Sequence, residues 1–467
     1  MTIFSQALGG DDAVSMVGEP SGTSSHGARF SRLADWLAWQ ESLHNTEIEL
    51  GLGRCKKVAL RMGLRQPRCK VITVAGTNGK GSTVAMLGTI FRLAGYSVGI
   101  YSSPHLLHYN ERITIGGVAV SDGDLCEAFQ RVDEARGDTS LTYFEFGTLA
   151  ALDLFQRAQL DLTVLEVGLG GRLDAVNLID ADIAVITAIG IDHVNWLGPD
   201  RESIAAEKAG ICRPGKPVVC SDPELPHRVE QRLRLQGSPL YRLGHEFFYR
   251  HGLNSAWSWC GRELHYEDLP MPKLQGEFQL QNAAGAIMAI NLLSECLGVS
   301  EEALHQGLTR VQLPGRIQLI PGKVQYVLDV AHNPHAAQAL AHALQLMPPL
   351  GNTRVLIGML KDKDMAGVCA ALRDLASSWH ISSLAGHRGA SAQALATQLR
   401  RVDKDASVTL YRTIQEALHG VRFEAQPGDR VLVVGSFLTV AGVLKEFRED
   451  LAEQELNGGE VQKAPIR

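Results

Sequence analysis

The chain has no long basic run, no C-x-x-C pair and no apolar stretch long enough to span a bilayer. Each absence removes a class of function. With 45 Lys and Arg against 51 Asp and Glu, the formal net charge is −6, so nucleic acid is not expected as the main partner. No membrane span is expected either. Eight cysteines without paired spacing argue against disulfides and structural zinc, and fit a reduced, cytoplasmic protein. Met1–Ala28 carries acidic residues among scattered Gly and Ser, without the charged start and apolar core of a secretory signal. Residues 1–28 are expected to form a disordered extension, and 454–467 a disordered tail. No short internal repeat is visible, and 467 residues leave room for two or three domains.

What the chain does have is Gly76-Thr-Asn-Gly-Lys-Gly-Ser82, set between the buried-strand pattern Val71–Ala75 and the helical pattern Thr83–Phe91. A glycine-rich turn there lets backbone N–H groups converge on an anion, and the helix N-terminus adds partial positive charge. Lys80 supplies a full charge for the outer phosphates of a nucleotide, and Ser82 a hydroxyl suited to Mg²⁺. After Gly76 the Gly-Lys pair arrives earlier than in the standard G-x-x-x-x-G-K-[ST] loop. An ordinary αβ turn would not need a lysine among three glycines, so a nucleotide site is expected.

Strand-like apolar runs alternate with helical segments over most of the length, the pattern of parallel α/β sheets. They are Ser97–Tyr101, Asp161–Val167, Asp182–Ala188 and, more weakly, Lys216–Cys220; residues 241–270 suggest a small antiparallel excursion. A second series reads Val324–Val330, Arg354–Gly358 and Arg430–Gly435. The expected fold is α/β: an N-terminal P-loop-type parallel-sheet ATPase domain over 29–312, a linker at 313–320 where Pro and Gly interrupt the helical pattern, and a smaller Rossmann-like domain over 321–453.

Ligands of open α/β sheets collect beyond the carboxyl ends of the strands. That rule gathers Lys80, Ser82, Ser102, Ser103, Glu166 and His193 at one edge. Singly, Glu166 reads as a hydrogen-bonded strand-end carboxylate and His193 as a loop histidine. Beside a phosphate loop, a joint Mg²⁺ site is the better reading, although histidine is an unusual Mg²⁺ ligand. In Gly168-Leu-Gly-Gly-Arg-Leu-Asp174, Arg172 and Asp174 either hold a substrate or cap the next helix. Lys208 alone reads as a solvated lysine paired with a glutamate one turn away. Asp329-Val-Ala-His-Asn-Pro334 puts Asp329 and His332 either at a cleft or in a plain Asn-Pro turn.

Together these residues resemble the folylpolyglutamate synthase/dihydrofolate synthase family, a branch of the Mur-ligase-like ATP-dependent amide ligases. The resemblance runs from about Leu33 to Lys445. It rests on Leu43–Gly51, the GTNGKGS loop, Tyr101–Leu106, Leu141-Thr-Tyr-Phe-Glu145, Glu166–Asp174, Asp192-His193, Glu207–Gly210, Pro314–Arg316 and Asp329–Pro334. It implies a ligase that uses ATP and Mg²⁺ to join L-glutamate to dihydropteroate and to reduced folates, in a cytoplasmic monomer. By resemblance, Gly76, Thr77, Asn78, Gly79, Lys80, Gly81 and Ser82 hold the ATP phosphates, and Asn282, Arg316 and Asp329 contact the nucleotide across a domain cleft. Ser82, Ser103, Glu166 and His193 ligate Mg²⁺. Glu49, Leu50 and Gly51, with Thr142, Tyr143, Phe144 and Glu145, and with Arg172, Leu173, Asp174 and Ala175, line the pterin side; Ser436 lies toward the incoming amino acid. Lys208 matches a lysine carbamylated in the family, and His332 is a candidate to assist proton removal. The competing readings are a monofunctional polyglutamate synthase, a peptidoglycan Mur ligase and a nucleotide-gated binding protein without turnover.

Overall fold

The computed structural model describes residues 28–456 apart from 47, 253–255 and 263. Strands β1 (Lys70–Ala75), β2 (Val98–Tyr101), β3 (Ile113–Ile115), β4 (Val118–Ala119), β5 (Leu162–Glu166), β6 (Ile183–Ile186), β7 (Val218–Cys220) and β8 (Leu240–Arg242) form one sheet in the order 4-3-2-5-1-6-7-8. Its centre is parallel, and only β3, paired with β2 and β4 at one edge, runs against the rest. Such a sheet must be covered on both faces, and β1 shows how the sequence does it. Val71 and Ala75 enter one core cluster while Ile72 and Val74 enter the other, as the two-residue period of a strand requires. Helices Lys80–Leu93 and Phe278–Leu292 pack together on one face, and helix Tyr143–Arg157 lies on the other.

The aromatic excursion is an antiparallel sheet of β9 (Phe247–His251), β10 (Ala256–Gly261) and β11 (Leu264–Pro270). Trp257 and Trp259 on β10 are fully buried beneath it. A third sheet, in the order 12-13-17-14-15-16, holds β12 (Gln318–Ile320), β13 (Gln325–Leu328), β14 (Thr353–Ile357), β15 (Ser378–Ser382), β16 (Val408–Tyr411) and β17 (Arg430–Val434). It is parallel except for β12, which lies inside the segment read as a linker. Again the central strand divides its side chains, with Val431 and Val433 on one face and Leu432 and Val434 on the other.

Strands β15 and β16 have no counterpart in the sequence reading. β15 reads Ser-Trp-His-Ile-Ser, too polar for a buried strand, yet every residue in it is buried. The polar groups are matched in place: His380 stacks on Tyr411 at 5.8 Å, with Nδ1 3.0 Å from the Tyr411 hydroxyl. The last helix, Phe437–Leu456, runs into the start of the expected disordered tail. The rest of that tail and the expected N-terminal extension lie outside the described residues, apart from Ala28. Among the described residues, no helix is long and apolar enough to cross a membrane.

Burial pushes the His380 imidazole below its ordinary pKa, with Glu424 opposing and Arg354 assisting. The unfolded chain takes up a proton here near pH 6.5 and the folded chain resists it, so this contribution to stability is present above that pH and fades below it. His380→Gln is therefore expected to narrow its denaturation-midpoint deficit against wild type between pH 7.5 and pH 5. A deficit that widens on acidification would contradict this account.

Candidate functional site

The turn from β1 into helix Lys80–Leu93 is built by glycines that no other residue replaces. Gly79 caps the helix at φ 89°, and a Cβ there would sit 2.3 Å from the Asn282 side-chain oxygen. At Gly76 a Cβ would lie 1.7 Å from the Thr187 hydroxyl. The loop is braced against the end of β6: Thr77 N–H donates to Ala188 O at 2.8 Å, and the Thr77 hydroxyl exchanges hydrogen bonds with Gly190 at 3.0 Å. Lys80 folds back over the loop, its ammonium donating to Gly76 O at 3.1 Å and to Thr77 O at 3.3 Å. Burial lowers its pKa, and Glu166 opposes the shift.

Around this loop the expected residues converge. Ser82, Ser103, Glu166, His193, Lys208, Asn282, Arg316, Asp329 and His332, with the loop itself, line one cavity of about 280 Å³. Glu166 ends β5 and accepts from Ser103 N–H at 3.2 Å; burial raises its pKa while Lys80 pulls the other way. Lys208, the last residue of helix Arg201–Lys208, is 3% exposed and is not the solvated lysine its sequence context suggests. Its ammonium donates to Gly76 O at 2.9 Å, and burial, then the neighbouring Lys80, pushes its pKa down to about 7. Gly171 permits this approach, since a Cβ there would lie 3.0 Å from Lys208 O.

The C-terminal sheet contributes the opposite wall. Asp329 follows β13 and accepts from Ile317 N–H at 2.9 Å and Ala331 N–H at 2.8 Å. Arg316, half-buried beside it, lies over the Phe437 ring at 5.2 Å. His332 Nδ1 is 2.8 Å from the Val330 carbonyl, and its Nε2 is 3.5 Å from Asp192 Oδ2. Asp192 lies well below the usual carboxylate range: burial works against it, but His332, His193 and Lys363 surround it. His193, in the left-handed region at φ 52°, is pushed down to about 4 by burial and by nearby Lys363, with Asp192 opposing. A larger cavity of about 990 Å³ adjoins the first, sharing Ala188, Asp192, His193, Gln281 and His335 with it.

The residues expected on the pterin side sit mostly outside both cavities, doing structural work. Thr142 and Glu145 form a reciprocal capping box on helix Tyr143–Arg157, at 3.2 and 2.8 Å. Arg54 ties Glu145 to Glu49. Asp174 caps the turn Ala175–Leu178 and accepts from Leu169 N–H at 2.8 Å; burial raises its pKa to about 6. Phe144 packs where a Cβ on Gly168 would lie, and Arg172 pairs with Glu207 at 2.8 Å. Tyr143 is edge-on to Tyr109. Leu50, Gly51, Leu173 and Ala175 line neither cavity, whereas Thr46 and Ile48, just before Glu49, line the larger. Ser436 is buried and accepts from Thr439 N–H at 3.0 Å, starting the last helix. The sequence reading missed Asn333, His335 and Lys363. Lys363 sits in Lys361-Asp-Lys-Asp364, a charge run of the kind usually solvated, and nothing in the sequence tells it apart.

Among the described residues, no three His, Cys, Asp or Glu side chains converge as a ready metal cluster. The oxygen donors of Ser82 and Glu166 nevertheless suit a hard divalent cation. Glu166 is a buried carboxylate with no side-chain cation hydrogen-bonded to it among the described residues, and a bound cation would satisfy it.

Residues 74–290 match the Mur ligase middle domain and 315–437 the Mur ligase glutamate ligase domain. The chain is 44% identical over 415 residues to the dihydrofolate synthase/folylpolyglutamate synthase of Escherichia coli (strain K12), covering 89% of this chain and 95% of that one. In structure it is similar to Escherichia coli FolC in complex with DHPP and ADP, with a TM-score of 0.85 at 44% identity over 90% of this chain and 98% of that one. It is also similar, at TM-score 0.82, 44% identity and the same coverage, to a bifunctional folylpolyglutamate synthase/dihydrofolate synthase with Mn, AMPPNP and L-glutamate bound.

Lys80→Ala is expected to keep its thermal midpoint and lose about 100-fold or more in ATP-dependent turnover, the scale of losing one preorganised charge donor. Near-normal turnover in the folded variant would contradict the assignment. Glu166→Ala and His193→Ala should raise the Mg²⁺ needed for half-maximal activity; an unchanged titration in both would remove them from the metal shell.

Proposed function

The chain belongs to the dihydrofolate synthase/folylpolyglutamate synthase family of Mur ligases, and on that premise we propose that it is the bifunctional ATP-dependent ligase. It joins L-glutamate to dihydropteroate, giving dihydrofolate, and to reduced folates, giving polyglutamates. The observation that carries this reading is the convergence of Lys80, Glu166, Lys208, Arg316 and Asp329 on one cavity that opens onto a larger one. A phosphate site beside a second, roomier cavity is a geometry that suits a carboxylate-activating ligase.

The chemistry follows from the poor reactivity of a carboxylate toward an amine, whose leaving group would be oxide. The acceptor carboxylate attacks the γ-phosphorus of ATP, ADP departs and an acyl phosphate forms. The glutamate α-amine, once deprotonated, attacks the acyl carbon; the C–O bond to phosphate breaks, leaving an amide and inorganic phosphate. Lys80 and Arg316 stabilise charge on the phosphates from opposite walls, an electrostatic role with no covalent step. Ser82, Ser103, Glu166 and His193 would hold Mg²⁺, which when bound neutralises charge on the transferring phosphate. Asp329, buried and fixed by two backbone N–H groups, and Asn282 face the nucleoside end. His332, with Nδ1 engaged by a carbonyl and Nε2 turned toward the Asp192 carboxylate, is the candidate to assist proton removal from the amine.

Lys208 is proposed to be carbamylated. Only a neutral amine captures CO₂, and a pKa near 7 leaves much of this lysine neutral at physiological pH. With ¹³C-bicarbonate, wild-type protein should show a carbamate resonance that Lys208→Ala lacks; identical spectra would count against it.

Purified protein is expected to release phosphate only when glutamate accompanies dihydropteroate or tetrahydrofolate, and to yield an amide product with each. If tetrahydrofolate is extended while dihydropteroate is never coupled, the bifunctional reading fails and a monofunctional synthase stands. Changing Asp174, which the resemblance puts on the pterin side and whose carboxylate accepts from Leu169 and Val176 N–H, should impair the dihydropteroate reaction more than ATP binding.

A further inference from the structure

Lys363 lies on the loop between β14 and the helix Met365–Leu372, immediately before Asp364, which caps that helix by accepting from Gly367 N–H at 2.9 Å. Its backbone is also fixed, since Lys363 O accepts from Met365 N–H at 2.9 Å. Its side chain is only 5% exposed, rare for lysine and tolerated only where the charge is paired. The pairing runs between the two large sheets. The ammonium donates to Asp192 Oδ1 at 2.7 Å and lies 3.3 Å from His193 Nε2, both on the loop that follows β6.

Asp192 is where several such contacts meet. Asn333 Nδ2 approaches its other oxygen at 3.3 Å, and His332 Nε2 lies 3.5 Å from the same atom. Asn333 also exchanges side-chain amide contacts with Asn78 of the phosphate loop, at 3.0 and 3.3 Å, and His335 Nδ1 lies 2.8 Å from Asn78 Nδ2. Each of these is a polar contact across the cleft. Among these contacts Lys363 alone brings a buried lysine ammonium to this largely covered carboxylate. Asp192 in turn accepts from His193 N–H at 2.8 Å, so whatever fixes Asp192 also fixes the left-handed turn that aims His193.

We propose that Lys363 is a positioning residue for the ligase reaction: its salt bridge to Asp192 locks the C-terminal sheet onto the phosphate-loop side and holds the Asp192–His193 turn in working shape. It acts through Asp192 and not on the nucleotide, since it does not line the nucleotide cavity. This rests on the ligase reading for its kinetic arm only. Cleft closure and nucleotide affinity can be measured whatever the substrate.

The test compares Lys363→Met, which keeps length and loses charge, with Lys363→Arg, Asp192→Asn and the Met/Asn double variant. Thermal midpoints select folded proteins, and Lys363→Gln replaces Lys363→Met if that variant does not fold. Expected for Lys363→Met are an ADP dissociation constant within about twofold of wild type, a kcat lower by about tenfold or more, and a larger radius of gyration by X-ray scattering without ligands. Lys363→Arg should recover part of the kcat and the compact radius. The double variant should lose no more than the worse single, since both remove one interaction. Wild-type kcat in folded Lys363→Met would overturn the proposal. So would losses that multiply in the double variant, or an effect confined to the KM for glutamate, which would place Lys363 on the substrate. A wild-type protein inactive as a ligase would defeat the function proposed above, and scattering would still decide the clasp.

Discussion

Two lysine ammoniums donate to one backbone carbonyl. Lys80 reaches Gly76 O at 3.1 Å from within the phosphate loop, and Lys208 reaches it at 2.9 Å from the end of a helix more than a hundred residues away. Lys208 is buried and Lys80 half-buried, and burial lowers the pKa of both. Desolvated like charges beside one another are costly, and only an anion or the loss of a charge relieves them. A triphosphate bound here would supply the first remedy. The proposed carbamylation of Lys208 would supply the second, turning one repelling cation into an anion that Lys80 and a divalent cation both attract. The most crowded point of the site is thus the one with most to gain from its ligands.

The rest of the fold brings groups to that point. Parallel strands β1, β5 and β6 deliver Gly76, Glu166 and Asp192 at their carboxyl ends, where loops are free to diverge. The C-terminal sheet does the same with Asp329 after β13 and Lys363 after β14. Two open sheets therefore face each other by their functional edges. Asp192 with Lys363, and Asn78 with Asn333, close the distance between them. Phosphoryl transfer needs little from the protein beyond placement and charge, and two apposed strand edges provide both.

Much of this was legible because the residues involved break local rules. Lysine among three glycines after a buried strand has few structural explanations, and Lys80 is found where that pattern puts it. The central strands were readable from continuous apolar runs, since parallel sheets are buried on both faces. β15 was not, because its serines and histidine are satisfied by distant partners such as Tyr411, which a local window does not contain. Lys208 misled for a related reason: its helix looks amphipathic and exposed, and its burial comes from Gly171 and Gly76 packing over it. Lys363 was silent because an isolated Lys-Asp alternation says nothing about which carboxylate lies across a cleft. Thr142 and Glu145 were singled out by resemblance alone, while Asp174 stood out in its glycine-rich turn as a substrate or capping residue, and capping explains the local contacts of all three without reference to any ligand.

The central claim is that the lysine pair at Gly76 is a polyanion site. A crystal structure with Mg²⁺ and a non-hydrolysable ATP analogue tests it most directly. The account predicts phosphates seated against the Gly76–Ser82 loop, Lys80 turned from the Gly76 carbonyl onto the outer phosphates, and Arg316 on their far side. A nucleotide bound elsewhere, or one bound in this cleft with Lys80 still donating to Gly76 O, would contradict it.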